Sequence, residues 1–310
     1  MDEVSRLLRE QDGVVSRRQL LAADVRPSDL ARMVRRRELT GVHPGVFVEH
    51  TGPLTWQQRA WAGVLVAWPA ALTHRSAIRA PEGPGRRARD DTVIDVAVQW
   101  ERRVRAPAGV RVVRLRDFGA RVQWNLGPPR IRYDDAIIDV AADASDDLDA
   151  VAALADACGS RRTTAERLLR TLDQRPRVRR RAWLEEVLGD VAQGTCSVLE
   201  RGYLDLVERP HGLPAGRRQA SHRERGATVY RDVDYGGVVV ELDGRLFHDS
   251  TEARDRDLER DLDAATYGAA TVRLGYAQVF GRGCSTAVKV ARVLQRHGWP
   301  GAVTRCGSCS

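Results

Sequence analysis

The chain has 310 residues, 43% of them apolar, and a formal net charge of +8. That apolar share supports packed cores and excludes wholesale disorder. The longest apolar candidate, Trp61 to Leu72, is too short for a membrane span of ~20 residues and contains Pro69. The charge suits a polyanionic partner, although Lys289 is the only lysine and an arginine-rich composition alone would also give it.

At roughly 150 residues per domain, two or three domains are expected. The N-terminus, MDEVSRLLRE, is acidic with a helical pattern and lacks the basic start and apolar core of a signal peptide, so a cytoplasmic protein is expected.

Residues 1–50 read as a small helical DNA-binding unit. In VSRRQLLAA, Ser16 is placed to cap a helix and Gln19 completes a capping box. In DVRPSDLARMVRRRELT, Arg26-Pro27 makes a turn and Ser28 caps a second helix. Leu30, Met33 and Val34 give that helix its apolar stripe, and Arg32, Arg35, Arg36 and Arg37 its basic side. LTGVHPGVFVEH then alternates around a His-Pro-Gly turn, as a hairpin or wing does. Helix, turn, basic helix and wing is the order of a winged helix-turn-helix, whose second helix enters the major groove. A small bundle with the same arginines as a solvated face is the plainer alternative.

This segment resembles the N-terminal winged-helix domain of AbiEi-type antitoxins, closely over residues 10–50 and loosely onward through LTHRSAIRA. The resemblance implies an antitoxin-like DNA-binding repressor and a nucleotidyltransferase-type toxin as partner. A homodimer is a further candidate assembly. His74, Arg75 and Ser76 receive no chemical role and read as a polar helix start.

Residues 51–190 form a mixed α/β, antitoxin-like middle region. TWQQRAWAGVLVAW and DDLDAVAALADAC are helical, TVIDVAVQW and GVRVVRLRDF alternate as strands, and GPGRRARDD is a loop. Two helices flank Pro176, with a run of arginines at 175–181 that suits a solvated or phosphate-contacting surface. No phosphate-binding glycine loop, nucleophile elbow or zinc-ligand spacing occurs here.

From residue 195 the expected order is helix (196–208), a strand near Arg218, strand ATVYRDVDY, strand VVVELDG, helix, strand AATVRLGY and helix. Gly236-Gly237 predicts a two-residue hairpin in which both glycines can take positive φ. Paired positions then sum to 473, so Glu241 lies opposite Asp232, and Asp234 and Asp243 share their face. Four carboxylates on one face call for a counter-ion, and hard oxygen ligands suit Mg²⁺ or Mn²⁺. A solvated edge, or ion pairing to Arg254, Arg256 and Arg260, is the alternative.

YRDVDYGGVVVELDGRLFH, ARDRDLERDLDAA and VRLGY resemble the restriction-endonuclease-like domains related to very-short-patch-repair endonucleases. The resemblance implies metal-assisted phosphodiester hydrolysis of double-stranded DNA. Its implied site has Asp232 (Asp234 as fallback) and Glu241 on the metal, Asp243 orienting, Glu200 as a further acid, and His248 or a second ion as the base. One departure stands out: nucleases of the wider PD-(D/E)xK superfamily, hydrolases with a lysine two residues after the second acid, would have it where this chain has Asp243. Arg256 or Arg273 could substitute. A DNA-binding, metal-binding endonuclease is therefore the expected function, and a non-enzymatic toxin–antitoxin regulator with an inactive endonuclease-like fold is the alternative.

The architecture expected is α+β multidomain. It comprises a winged helix-turn-helix (1–50), a mixed α/β middle region (51–190), a restriction-endonuclease-like α/β sheet domain (191–300) and a flexible tail (301–310). The lone C-x-x-C of that tail, Cys306 and Cys309, could join Cys284 and His297 around zinc, but a flexible tail carrying two thiols is the expected state.

Overall fold

The computed structural model describes residues 3–83, 93–159, 162–193, 197–224, 227–243 and 270–307. Among the described residues it is a mixed α/β structure with three separate sheets. The chain divides into two compact units, residues 1–140 and 141–310. Among the described residues no helix is long and apolar enough to cross a membrane.

The first unit opens with α1 (Glu3–Glu10), β1 (Val14–Ser16), α2 (Arg17–Ala22), α3 (Pro27–Arg35), β2 (Thr40–His43) and β3 (Val46–Val48). The strands form an antiparallel sheet in the order β1-β3-β2. Val4, Val15, Leu20, Leu30 and Leu39 make the core beneath them, with Met33 and Phe47 packed against it. The capping box is present: Gln19 N donates to Ser16 Oγ at 3.3 Å, and Ser16 N to Gln19 Oε1 at 3.0 Å. Helix α3 departs from expectation at its start. It begins at Pro27 with Arg26 as an extended N-cap, so Ser28 lies inside the first turn and does not cap. Proline suits the first helical position and forces its predecessor out of the helical region, which sets the boundary two residues earlier. Val34 belongs to the solvent side, 38% exposed, not to the buried stripe.

The unit continues through α4 (Trp56–Ala67), β4 (Ala71–Leu72), α5 (His74–Glu82), β5 (Ile94–Gln99), β6 (Val110–Leu115), α6 (Phe118–Arg121), β7 (Val122–Gln123) and β8 (Arg130–Ile131). From Ala60 onward helix α4 is apolar all round because it is covered: Ala60, Val64 and Ala67 join Ile94, Val96 and Val98 of β5 in one core. The five-stranded sheet has the order β6-β5-β4-β8-β7. The polar start of α5 is structural. His74 and Ser76 are buried, and Ser76 Oγ accepts the Asp95 amide at 2.9 Å.

The sequence pattern did not announce the charge cluster next to this sheet. Arg121, 3% exposed, lies 3.1 Å from Asp135 and pairs with Asp139. Arg132 reaches Asp135 from the other side at 2.9 Å. Both aspartates come from α7 (Tyr133–Ala142).

The second unit holds α8 (Asp147–Gly159), α9 (Ala165–Asp173), α10 (Arg181–Gln193) and α11 (Ser197–Tyr203). The chain then winds through a π turn (Leu204–Glu208) and a 3₁₀ turn (Arg209–His211). A sheet follows, ordered β12-β11-β10-β9, from β9 (Arg217–Glu224), β10 (Ala227–Asp234), β11 (Val238–Leu242) and β12 (Ala270–Leu274). α12 (Tyr276–Val279) and α13 (Gly283–Arg296) complete it. Val238, Val239 and Val240 are all buried. Successive strand residues face opposite ways, so both faces of β11 are covered.

Candidate functional site

Helix α3 ends in a basic run. Arg32, Arg35, Arg36 and Arg37 are all exposed. Arg32 lies 3.4 Å from Asp29, whose carboxyl the hydrogen-bonded Arg26 guanidinium holds below its ordinary range. The helix closes with a Schellman pair, Glu38 N to Met33 O at 2.9 Å and Arg37 N to Val34 O at 3.1 Å. That closure needs a left-handed residue, and Arg37 supplies it at φ 60°. Glycine would take this conformation without the ~1–2 kcal/mol that a side chain costs there, offset by its own flexibility at about 0.5–1 kcal/mol. Arg37→Gly should therefore stabilise the protein by about 0.5–1 kcal/mol in urea unfolding while weakening any polyanion binding. Loss of stability would show that the arginine is needed for the fold.

A second basic surface lies in the same unit. Arg103, Arg105 and Arg114 line a depression of about 550 Å³ with Arg102, Val104 and Val112. Arg102 is committed to structure, donating to the carbonyls of Ala67 and Trp68 at 2.8 and 2.9 Å. Arg114 and Arg116 stack on Trp100 at 4.8 and 4.3 Å.

The acidic hairpin has the expected register. Val233 pairs with Val240 and Asp234 with Val239, and continuing one step sets Asp232 opposite Glu241. Only Gly236 takes positive φ, at 87°, whereas Gly237 does not. A II′-type turn requires it at the first position alone. Asp232, Asp234 and Glu241 have partners of their own. Asp232 accepts the Leu242 amide at 2.6 Å. Burial raises its carboxyl above the ordinary value, the Leu242 hydrogen bond works against this, and nearby Glu241 and Asp243 raise it further. Asp234, 3% exposed, accepts the Gly236 amide at 2.7 Å and pairs with Arg217 at 3.3 Å. Glu241 meets its β12 neighbour Arg273 at 2.9 Å. Glu200 sits half-buried on α11. His248, Arg254, Arg256 and Arg260 lie outside the described residues.

No family model and no curated protein matches the chain. The crystal structure of the RV2827C protein from Mycobacterium tuberculosis is similar at 20% identity, over 61% of this chain and 75% of that one, with a TM-score of 0.39. Any functional reading therefore rests on the side chains themselves.

Carboxylates are suitable donors for Mg²⁺ or Mn²⁺, but this arrangement does not make them a coordination set. Arg273 already holds Glu241, and Asp234 is turned to Arg217 and the hairpin turn. Among the described residues, the metal-ligating side chains whose ligand atoms all lie within 4.8 Å of one another are His211, Cys284 and Cys306. Cys284 and Cys306 belong to the zinc alternative to the expected flexible tail, and Cys309 lies outside the described residues; the histidine beside the two thiols is His211, not His297, which caps the end of α13. His211 was missed because nothing in its local sequence marks it; only the turns after α11 carry it inward.

Asp232 gives a pH prediction. Its folded carboxyl titrates above the ordinary 3.8, so between these values the folded chain binds more protons than the unfolded one. Stability then falls as pH rises through that window. Asp232→Asn keeps an acceptor for Leu242 and removes the charge. It should match or exceed the parent in urea midpoint at about pH 8, with a flatter pH dependence; a lower midpoint would mean that the charge is compensated.

Proposed function

We propose that the chain binds double-stranded DNA through the first unit, with the segment from α1 to β3 acting as a winged helix. The observation that carries this is the exposed run Arg35-Arg36-Arg37 closing α3, with Arg37 placed in a backbone conformation that favours glycine. A cation at a helix C-terminus complements the helix dipole, but that benefit fades within the last turn and does not call for three in succession. Recognition helices read bases near their N-terminal ends, where α3 carries Ser28 and Asp29. Its arginines, at the other end, are suited to backbone phosphates. The binding is therefore mainly electrostatic, with Arg103, Arg105 and Arg114 a second polyanion surface. Antitoxin-type regulation, with a nucleotidyltransferase toxin as partner, fits a protein that binds DNA without cutting it, and cleavage is not needed for it.

The test is fluorescence anisotropy of a labelled duplex across a salt series. The observed affinity should fall linearly in a log–log plot, by about 0.9 in slope per phosphate contact. A salt-independent signal, or no binding at low salt, would sink the proposal.

Metal-dependent phosphodiester hydrolysis is the second reading, favoured by the crowding of Glu241 and Asp243 against Asp232. A divalent ion would relieve that crowding, but only if Arg273 released Glu241. Plasmid cleavage in Mg²⁺ or Mn²⁺ that disappears in Glu241→Ala would establish it. Intact plasmid in both metals, with DNA binding retained, would leave the regulator.

A further inference from the structure

We propose that His211, Cys284 and Cys306 form a structural zinc site that fastens the C-terminal tail to the second unit. The two sulfurs lie 3.5 Å apart. That is far beyond a disulfide bond of about 2.05 Å. It is close to the ~3.8 Å separating two thiolates that share a tetrahedral zinc at about 2.3 Å. His211 completes a triangle in which all ligand atoms lie within 4.8 Å, and it is 1% exposed.

The surroundings prepare each ligand separately. His211 Nδ1 lies 3.0 Å from the Val207 carbonyl, which can only accept, so the proton belongs on Nδ1 and the lone pair on Nε2. A histidine that ligates zinc through one nitrogen commonly donates from the other in this way. Cys284 occupies the first turn of the 14-residue helix α13, where the helix dipole favours a thiolate. Gly283 lets that turn approach: a Cβ there would stand 3.0 Å from Leu206 O in the π turn, pushing Cys284 away from His211. Cys306 is brought in by the tail, where Thr304 N donates to His211 O at 3.0 Å and Thr304 Oγ1 to Pro210 O at 3.4 Å. Three elements far apart in sequence thus converge with two soft ligands and one borderline ligand, a donor set that selects zinc over Mg²⁺.

The experiment measures metal in full-length protein purified from zinc-supplemented cultures, without DNA, so its outcome is independent of the DNA-binding proposal. A single equivalent of zinc per chain is expected, released when a mercurial blocks the thiols. Apo-protein titrated with Co²⁺ should show the thiolate charge-transfer band of a tetrahedral site, a readout that needs no variant. Cys284→Ser and Cys306→Ser should each lose most of the zinc and of the band, while Cys158→Ser keeps both. Absence of zinc together with absence of the cobalt band would overturn the proposal. So would undiminished zinc in Cys284→Ser and Cys306→Ser, or a Cys284–Cys306 disulfide by mass spectrometry under non-reducing purification.

Discussion

Replacing Arg35, Arg36 and Arg37 together with alanine is expected to weaken duplex binding by roughly a thousandfold at low salt, taking each contact as a charge-assisted hydrogen bond of about 1.4 kcal/mol. The salt slope should fall at the same time by about 2.7, or 0.9 for each phosphate no longer neutralised. The two numbers together distinguish a phosphate interface from a base-reading one. Removing phosphate-binding arginines from the end of α3 should weaken all duplexes alike, whereas removing a base-reading side chain relaxes preference at one position. Folding should be nearly untouched by the change at Arg35 and Arg36, because both side chains are exposed. Arg32 is expected to matter less per residue, since Asp29 at 3.4 Å competes with phosphate for it. A triple variant that binds as tightly as the parent, with the same salt slope, would leave these arginines as a solvated face and remove the main support for DNA binding.

Local features were the most legible in the sequence. The capping box at Ser16, the helices flanking Pro176 and the pairing set by Gly236-Gly237 depend on residues a few positions apart, and all three are present. The hairpin register placed Asp232, Glu241 and Asp243 near one another, as the electrostatics of Asp232 require. What the strand pattern could not supply was the set of neighbours outside the hairpin. Arg217 comes from β9 and Arg273 from β12, and these cations take two of the four carboxylates, Asp234 and Glu241, into ion pairs. His211 was illegible for the same reason: its partners Cys284 and Cys306 are remote in sequence, and the pairing depends on the turns that follow α11. Ser28 shows the opposite failure, a local rule overridden by a stronger local rule, because Pro27 claimed the first helical position.

The buried charge cluster in the first unit shows how much such unannounced partners can be worth. Arg121→Met should destabilise the first unit by about 3–5 kcal/mol, the cost of leaving buried carboxylates without their cation. Asp135 and Asp139 are 1% and 7% exposed, so water cannot take over from the guanidinium. Arg132 at 2.9 Å from Asp135 is itself half-exposed and can compensate only one of the two acids. Methionine fills a similar volume, so the loss would report charge more than cavity. Adding Asp135→Asn and Asp139→Asn to Arg121→Met should restore most of the stability, since neutral amides need no counter-ion. The pair Arg6–Glu10, 3.1 Å long with both side chains half-exposed, is the control: removing that guanidinium should leave the urea midpoint almost unchanged. Urea unfolding followed by a probe in the first unit decides the matter. If Arg121→Met costs no more than Arg6→Met, the buried cluster is not what holds α6 and α7 together, and the apolar packing of Phe118 and Ile131 must do so instead.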